Sequence, residues 1–217
     1  MRRSASLLLL LGASLAACQT APRTAPQPPR GSVVVEEAEA WRDAATPAGV
    51  AAVEALESLW IAALADAKGR GGTRTIAAEA PLLDPQAALP RAAPAPGPYR
   101  CRLLRVAAPG ARVRGLSVSR SAFCFVGVAG DQLSFTSEVP AQRFGGYLYE
   151  TKTSRELVFL GATAGARGQS KVGYGEDPAR DIAGQFERIG EFRYRLLVPG
   201  AAAPELLVFE LVAAPGG

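Results

Sequence analysis

The side chains best suited to chemistry are concentrated in one short segment of the chain. Tyr174, Glu176, Asp177, Arg180 and Asp181 lie within the stretch 162–181, which shows neither a helical nor a strand period. Long aperiodic segments inside compact domains are usually functional or disordered. Carboxylates are ligands that Ca²⁺ prefers, but this spacing is not that of an EF-hand loop. Asp177-Pro178 is also typical of an ordinary turn, so we interpret the five residues as a candidate ligand or ion loop and assign no metal to it.

Three arginines form a second candidate site. Arg100, Arg102 and Arg188 lie in or beside strand-like sequence, and the planar guanidinium group suits carboxylate or phosphate ligands. The three could therefore line an anion patch. Alternate positions of a strand also face water, where arginine is expected, so an ordinary solvated face is the competing interpretation.

The absence of histidine is the strongest constraint that the sequence places on catalysis. The chain has no histidine, and its single methionine is Met1. Ser-His-Asp and Cys-His catalysis and nearly all catalytic zinc sites are therefore excluded. Glu176 and Glu187 could act as a hydrolytic carboxylate pair if the fold brought them together. We predict no catalytic residue and no cofactor, and keep a carboxylate-dependent hydrolase of the cell envelope as the alternative function.

The N-terminus has the pattern of a bacterial lipoprotein signal. Arg2 and Arg3 precede the apolar run 7–11, and Leu15-Ala16-Ala17 leads directly to Cys18. The run is shorter than the roughly 20 residues that cross a bilayer. We therefore predict a cleaved signal peptide over 1–17 and a lipidated Cys18 that tethers the protein to a membrane.

The tether predicts where the protein works. Residue 19 is glutamine rather than the aspartate that retains lipoproteins at the inner membrane, so we expect a periplasmic protein on the outer membrane. The Pro-rich stretch 18–40 is predicted to be an extended linker. A net charge of +4, with no basic run, argues against nucleic acid as a partner.

Two cysteines remain once Cys18 is set aside. Cys101 and Cys124 both lie in strand-like sequence. An even number of cysteines in an oxidising compartment predicts a disulfide, and two buried free thiols are the competing interpretation.

One helix and a series of strands are predicted for the domain 41–214. Thr46-Pro47 is a good helix start and Lys68-Gly69 a good end, and apolar residues recur between them at helical spacing. Trp41 is expected in a shorter turn before this helix, and both it and Trp60 are assigned to core packing. The segment 73–77 is interpreted as a short strand. Further candidate strands are 99–106, 112–118, 122–128, 131–137, 143–150, 156–161, 183–189, 192–198 and 206–212.

The strands alternate apolar and polar residues and are separated by short turn signals. Such a pattern predicts a mainly β, α+β domain, in which an antiparallel meander of about eight strands closes into a barrel-like sheet beside the N-terminal helix. Small barrels either fill with side chains or hold one ligand, and the sequence leaves these alternatives open.

Several short stretches, taken together in their order along the chain, form a recognisable sequence pattern. They are Leu82-Leu83-Asp84-Pro85, Pro98-Tyr99-Arg100-Cys101-Arg102, Gly146-Tyr147-Leu148-Tyr149, Val158-Phe159-Leu160-Gly161, Tyr174-Gly175-Glu176-Asp177, Arg180-Asp181 and Glu187-Arg188-Ile189-Gly190. With them the sequence resembles the proteobacterial domain of unknown function 4893 family, small exported proteins without an assigned activity. The resemblance implies export and a common fold, and no mechanism. Tyr194 stands where the resemblance leads us to expect a tryptophan.

These observations favour a non-catalytic, membrane-tethered periplasmic module that binds a ligand or interacts with another protein. A hollow barrel would make it a carrier of a small apolar ligand. A filled barrel would place its role on the outer surface, against an envelope protein.

Overall fold

The domain is built on one antiparallel β-sheet that closes on itself. The structure, a computed structural model, describes residues 40–108, 115–140, 142–165 and 172–214. The predicted signal peptide, Cys18, the linker up to residue 39 and positions 112–114 of one predicted strand lie outside the described residues.

From residue 99 onward the strand predictions are confirmed with small shifts at the ends, except that only 116–118 of the predicted strand 112–118 is seen as a strand in the described residues. The strands are β1 (Gly97–Val106), β2 (Leu116–Val118), β3 (Ala122–Ala129), β4 (Gln132–Ser137), β5 (Phe144–Glu150), β6 (Glu156–Thr163), β7 (Asp181–Gly190), β8 (Arg193–Pro199) and β9 (Leu206–Ala213). From β3 to β9 each strand pairs with the next, and β1 pairs with both β3 and β9. These eight strands form a closed barrel, and the short β2 extends the pairing at the end of β1.

The barrel interior is filled by the apolar half of each alternating strand. Phe135, Phe144, Phe159, Phe186 and Phe209 meet at its centre and are all buried. The ring centroid of Phe144 lies 4.9 Å from that of Phe209 and 5.3 Å from that of Phe159. Such edge-to-face contacts are typical of packed aromatic cores. The interior is therefore a core rather than a ligand cavity.

Both ends of the barrel are covered. At one end, Val139 in the turn after β4 belongs to the interior cluster. At the other end, Ala92 belongs to the same cluster, and the Tyr99 hydroxyl donates to the carbonyl of Ala95 at 2.7 Å. The Pro-rich segment before β1 thus lies across this end, because its prolines cannot join the sheet.

Four helices among the described residues cover the outside of the barrel. They are α1 (Ala40–Ala44), α2 (Pro47–Glu54), α3 (Leu56–Gly69) and α4 (Thr73–Ala78). The predicted start at Thr46 is confirmed, because its Oγ1 accepts a hydrogen bond from the Gly49 N–H at 3.1 Å and Pro47 occupies the first turn.

The single helix predicted from this start is in fact two helices. A break at Ala55 bends α3 by 52° from α2. Val50 and Val53 pack with Trp41 on one outer cluster, and Leu56 and Trp60 on another. The bend lets one apolar stripe follow the curved outer surface of the barrel.

No helix in the described ranges is, by itself, long and apolar enough to span a membrane; α2 and α3 meet that length and composition together, as a bent pair.

The predicted strand at 73–77 is wrong, because this segment forms α4. Its first turn closes with a hydrogen bond from the Ile76 N–H to the Gly72 carbonyl at 2.9 Å. The alanines at the end of this segment favour a helix.

The two remaining cysteines lie at disulfide distance inside the barrel. Cys101 on β1 and Cys124 on β3 are buried, and their Cα atoms are 5.9 Å apart. This separation falls within the range that disulfides require. The bridge links two neighbouring strands.

Candidate functional site

One groove lies on the outer face of β4, β5 and β6. It has a volume of about 810 Å³. Its floor is made of small side chains, and its walls carry three phenol rings, so we call it the tyrosine groove. Its main lining residues are Ser134, Thr136, Gly145, Ala162, Tyr147, Tyr149, Tyr174, Arg143 and Arg180.

Glycines make this face of the barrel concave. Gly146 and Gly161 are direct partners across β5 and β6 and face the interior. A Cβ on Gly146 would collide with the Leu160 carbonyl, and one on Gly161 with the Gly145 carbonyl. The two backbones therefore approach closely only without side chains, and Gly145 leaves space on the outer side.

The loop predicted from sequence to bind a ligand forms one wall of this groove. The Tyr174 hydroxyl accepts a hydrogen bond from the Thr46 N–H at 3.2 Å and shares another with Thr46 Oγ1 at 3.1 Å. Gly49 provides the room, because a Cβ there would collide with the same hydroxyl. The loop is thus fastened to the N-terminus of α2.

The carboxylates of the loop brace the backbone instead of gathering at one point. Asp181 Oδ1 accepts from the Gly175 N–H at 2.8 Å, and Asp177 Oδ1 accepts from the Ala179 N–H at 3.2 Å. Glu176 is exposed. Within the described segments no group of three or more Asp, Glu, His or Cys could hold a metal ion. Of the five predicted residues, Tyr174 and Arg180 line the groove, and the Arg180 guanidinium also donates to the Thr163 carbonyl at 2.7 Å.

The three arginines of the predicted anion patch are each engaged by other residues of the fold. Arg102 makes a bidentate pair with Glu79, at 3.1 and 2.6 Å, and also binds Glu210. Arg188 donates to the Pro90 carbonyl at 2.7 Å. Arg100 lies over the Phe123 ring, 4.3 Å from its centroid. Each guanidinium therefore has its own partner within the fold.

A second groove, of about 640 Å³, lies between α1, α3 and the outer face of β6 and β7. Trp41 and Trp60 line it, so we call it the tryptophan groove. Glu156, Gln185 and Glu187 also line it, on the barrel side.

The tryptophan groove contains a buried polar network. The Gln185 side-chain amide donates to both Glu156 and Glu187, the latter at 2.8 Å. Glu187 also accepts from Arg195 Nε at 2.6 Å, and Arg195 is 0% exposed. Arg195 Nη1 reaches the carbonyls of Leu82 and Asp84 at 3.0 and 2.7 Å. The turn at 82–85 thus wraps the guanidinium.

The two glutamates of this network have different environments. Burial, and then the charge of Glu187, raise the pKa of Glu156, while the hydrogen bond from Gln185 lowers it in part. Glu187 has the Arg195 guanidinium as its counter-charge, and burial lowers the pKa of that guanidinium. Glu156 therefore holds its proton to a higher pH than an ordinary glutamate does.

The carboxylate pair considered from sequence is not formed. Glu187 lines the tryptophan groove, whereas Glu176 lies in the loop beside the tyrosine groove. The carboxylate that faces Glu187 is Glu156, its direct partner across β6 and β7. This pair could not be predicted from the sequence, because the long segment between the two strands leaves their register undetermined.

The chain belongs to the family described as Domain of unknown function (DUF4893), whose model matches residues 41–211. Comparisons with curated proteins and with solved structures gave no match. The stretches 146–149, 158–161 and 174–177, which carry the resemblance, meet at the tyrosine groove. The stretches 82–85 and 187–190 meet at Arg195.

Proposed function

We propose that this protein is a lipid-anchored periplasmic binding module that acts through the outer face of its barrel. The observation that carries the proposal is the interior packed with phenylalanine, together with a groove of about 810 Å³ outside it. A filled barrel has no room to carry a ligand, so a partner must bind at the surface.

The tyrosine groove is suited to recognition. Burial first, and then neighbouring Tyr147 and Tyr174, raise the pKa of Tyr149. The rings offer apolar faces and the hydroxyls offer hydrogen bonds, a combination common at protein interfaces. Small floor residues let another backbone lie close to the sheet. We therefore propose an extended segment of an envelope protein as the partner.

Site-specific photo-crosslinking in the native envelope tests this proposal. A photoreactive residue replaces Tyr147, 44% exposed inside the groove, or Val212, 41% exposed on β9 outside it. We expect a discrete crosslinked protein from position 147 and none from position 212. A Tyr149→Ala change in the same chain should remove the product. Equal crosslinking from both positions, or none from position 147, would contradict the proposal.

The anchor is proposed from the sequence pattern at 15–18. Mass spectrometry of the protein extracted from membranes should show an N-terminal, acylated Cys18. The Cys18→Ala variant should lose both processing and membrane attachment. Recovery of unacylated wild-type protein from the cytosol would contradict the anchor, whatever the groove binds.

A carboxylate-dependent envelope hydrolase is the second candidate function. The observation in its favour is Glu156, whose pKa is raised, facing Glu187 in a groove. Against it, the two Glu187 oxygens accept hydrogen bonds from Gln185 and Arg195, and the residue is only 4% exposed. Incubation with isolated cell-wall polymer tests it. Release of soluble fragments by the wild type, and not by Glu156→Gln, would favour this second function.

A further inference from the structure

Two buried N–H donors beside the tryptophan groove have no acceptor among the described residues. Trp60 Nε1 and Arg195 Nη2 make no hydrogen bond within the part of the chain that the structure describes, although the two side chains are only 5% and 0% exposed. A buried donor left without a partner costs about 1–3 kcal/mol. Trp60 lines the groove, and the Arg195 guanidinium lies 4.3 Å from its ring centroid. Trp60 therefore brings an unpaired donor to the lining of the groove, whereas Arg195 lies beside the Trp60 ring and is not a lining residue.

The barrel side of the same groove offers an acceptor. Glu156 lines the groove and uses Oε2 for the hydrogen bond from Gln185. A carboxyl group has several acceptor positions, and one hydrogen bond does not occupy them all. A ligand that both accepts and donates hydrogen bonds matches these two sides together.

The charges around the groove disfavour ionic ligands. Three charged side chains of its lining already have a counter-charge, because Arg42 binds Glu54 at 2.7 Å and Glu187 pairs with Arg195 at 2.6 Å. An anionic ligand therefore finds little uncompensated positive charge here. A cationic ligand would compete for indole rings that already have a guanidinium over them. The Arg42 guanidinium lies 4.5 Å from the Trp41 ring centroid, and that of Arg195 lies 4.3 Å from the Trp60 ring centroid. An uncharged ligand fits best.

We propose that the tryptophan groove is a binding site for a neutral sugar. Hydroxyl groups both donate and accept, so one sugar can supply an oxygen to the Trp60 N–H and a proton donor to Glu156, both of which line the groove. A volume of about 640 Å³ is ordinary for a small-molecule site. This surface is separate from the tyrosine groove, so the proposal does not depend on the function proposed there.

Calorimetric titration of the mature protein tests the proposal. The protein is purified from membranes in a detergent without a sugar head group. The neutral probes are maltotriose and the trisaccharide of N-acetylglucosamine, and the charged controls are triglucosamine and trigalacturonate. We expect saturable binding of at least one neutral probe, about tenfold tighter than either charged control. No binding of either neutral probe, or tighter binding of a charged one, would overturn the proposal.

The Trp60→Phe variant tests whether the indole N–H donates to the ligand or serves only the fold. The change keeps an aromatic ring and removes only the indole N–H and one ring. We expect the affinity for the neutral probe to fall about three- to tenfold, the scale of one hydrogen bond. Phe125→Ala, at an exposed aromatic outside both grooves, should leave the affinity unchanged.

Glu156→Ala gives a second test should Trp60→Phe fail to fold. Glu156 is only partly buried, so its loss should be tolerated while the affinity falls by a similar factor. Unchanged affinity in a folded Trp60→Phe or Glu156→Ala variant would overturn the proposal.

Discussion

The inside of the barrel and the layer between its outer face and the helices are both buried, yet they differ in chemistry. The interior cluster consists of apolar and aromatic side chains. The outer layer contains charged residues that are almost fully buried, among them Arg195, Glu187 and Glu210. Inside, the backbone groups of the described strands pair with one another along the sheet, which leaves few partners for a charge. Outside, the turn at 82–85 supplies free carbonyls, so a guanidinium can be enclosed.

The difference implies that the two regions respond to mutation in different ways. An interior contact is apolar packing, and its loss is a matter of volume. A contact in the outer layer is paired charge, and the loss of one member leaves the other buried without a partner.

Arg195→Met is expected to have the largest effect. The change leaves the buried Glu187 carboxylate without its counter-charge. The free energy of unfolding should therefore fall by about 3–5 kcal/mol in denaturant titrations. Arg195→Met combined with Glu187→Leu should recover much of this loss. If the double variant were as unstable as the single one, the contribution of Arg195 would be packing, and the contrast between the two regions would disappear.

The disulfide inside the barrel should come next. Cys101→Ala with Cys124→Ala removes a link across a sequence separation of 23 residues. The expected loss in unfolding free energy is about 3 kcal/mol in the chain-entropy model. The reduced wild-type protein is the matched control and should lose a similar amount, because the cavities left by two thiols are small. A loss confined to the alanine variant would assign the effect to packing.

A smaller effect is expected at the cap that joins α2 to the tyrosine groove. Thr46→Ala removes the acceptor for Gly49 and the partner of Tyr174. The unfolding free energy should fall by about 0.5–2 kcal/mol, and amide exchange in 172–181 should become faster. Thr46→Ser keeps the hydroxyl and should resemble the wild type. Unchanged exchange in the alanine variant would show that the loop is held by other contacts.

The smallest expected effect is a pH dependence of the unfolding free energy that arises from Glu156. The raised pKa means that the folded protein holds this proton more tightly than the unfolded chain. The unfolding free energy of the wild type should therefore fall as pH rises from the ordinary carboxyl range, about 4.3, through the raised pKa, and then level off. The glutamine in Glu156→Gln does not ionise, so this variant does not lose stability as the pH rises. It should therefore be more stable than the wild type at neutral pH, by about 1 kcal/mol or less. Denaturant titrations from acidic to neutral pH measure the difference. Parallel pH profiles would contradict the assignment.

Residue alternation predicted the barrel interior well and the outer layer poorly. In β8, Tyr194 and Leu196 face inward, as the alternating pattern indicates. The same pattern places Arg193 and Arg195 on the other face, the one that an alternating strand commonly presents to water. Arg195 is instead fully buried, because a turn more than a hundred residues earlier covers it. Alternation reports which residues share a face, and it carries no information about what covers that face.

The candidate site was predictable only in part, for a similar reason. The lack of periodicity at 162–181 pointed to Tyr174 and Arg180, which do line a groove. Tyr147, Gly145 and Ala162 were hidden, because a groove on a sheet depends on the register of three strands. Glu156 and Gln185 were missed because neither belongs to a motif, and their meeting depends on the pairing of β6 with β7.

The pairing of β1 with β9 has a consequence for synthesis and turnover. Residues 99–106 find their partners at 206–213, near the other end of the domain. A nascent chain cannot complete its hydrogen-bonded ring until these last residues have emerged, so every earlier intermediate carries two open edges. A prematurely terminated product that lacks β9 would keep those edges and be prone to aggregation or proteolysis. The fold thereby distinguishes finished molecules from fragments.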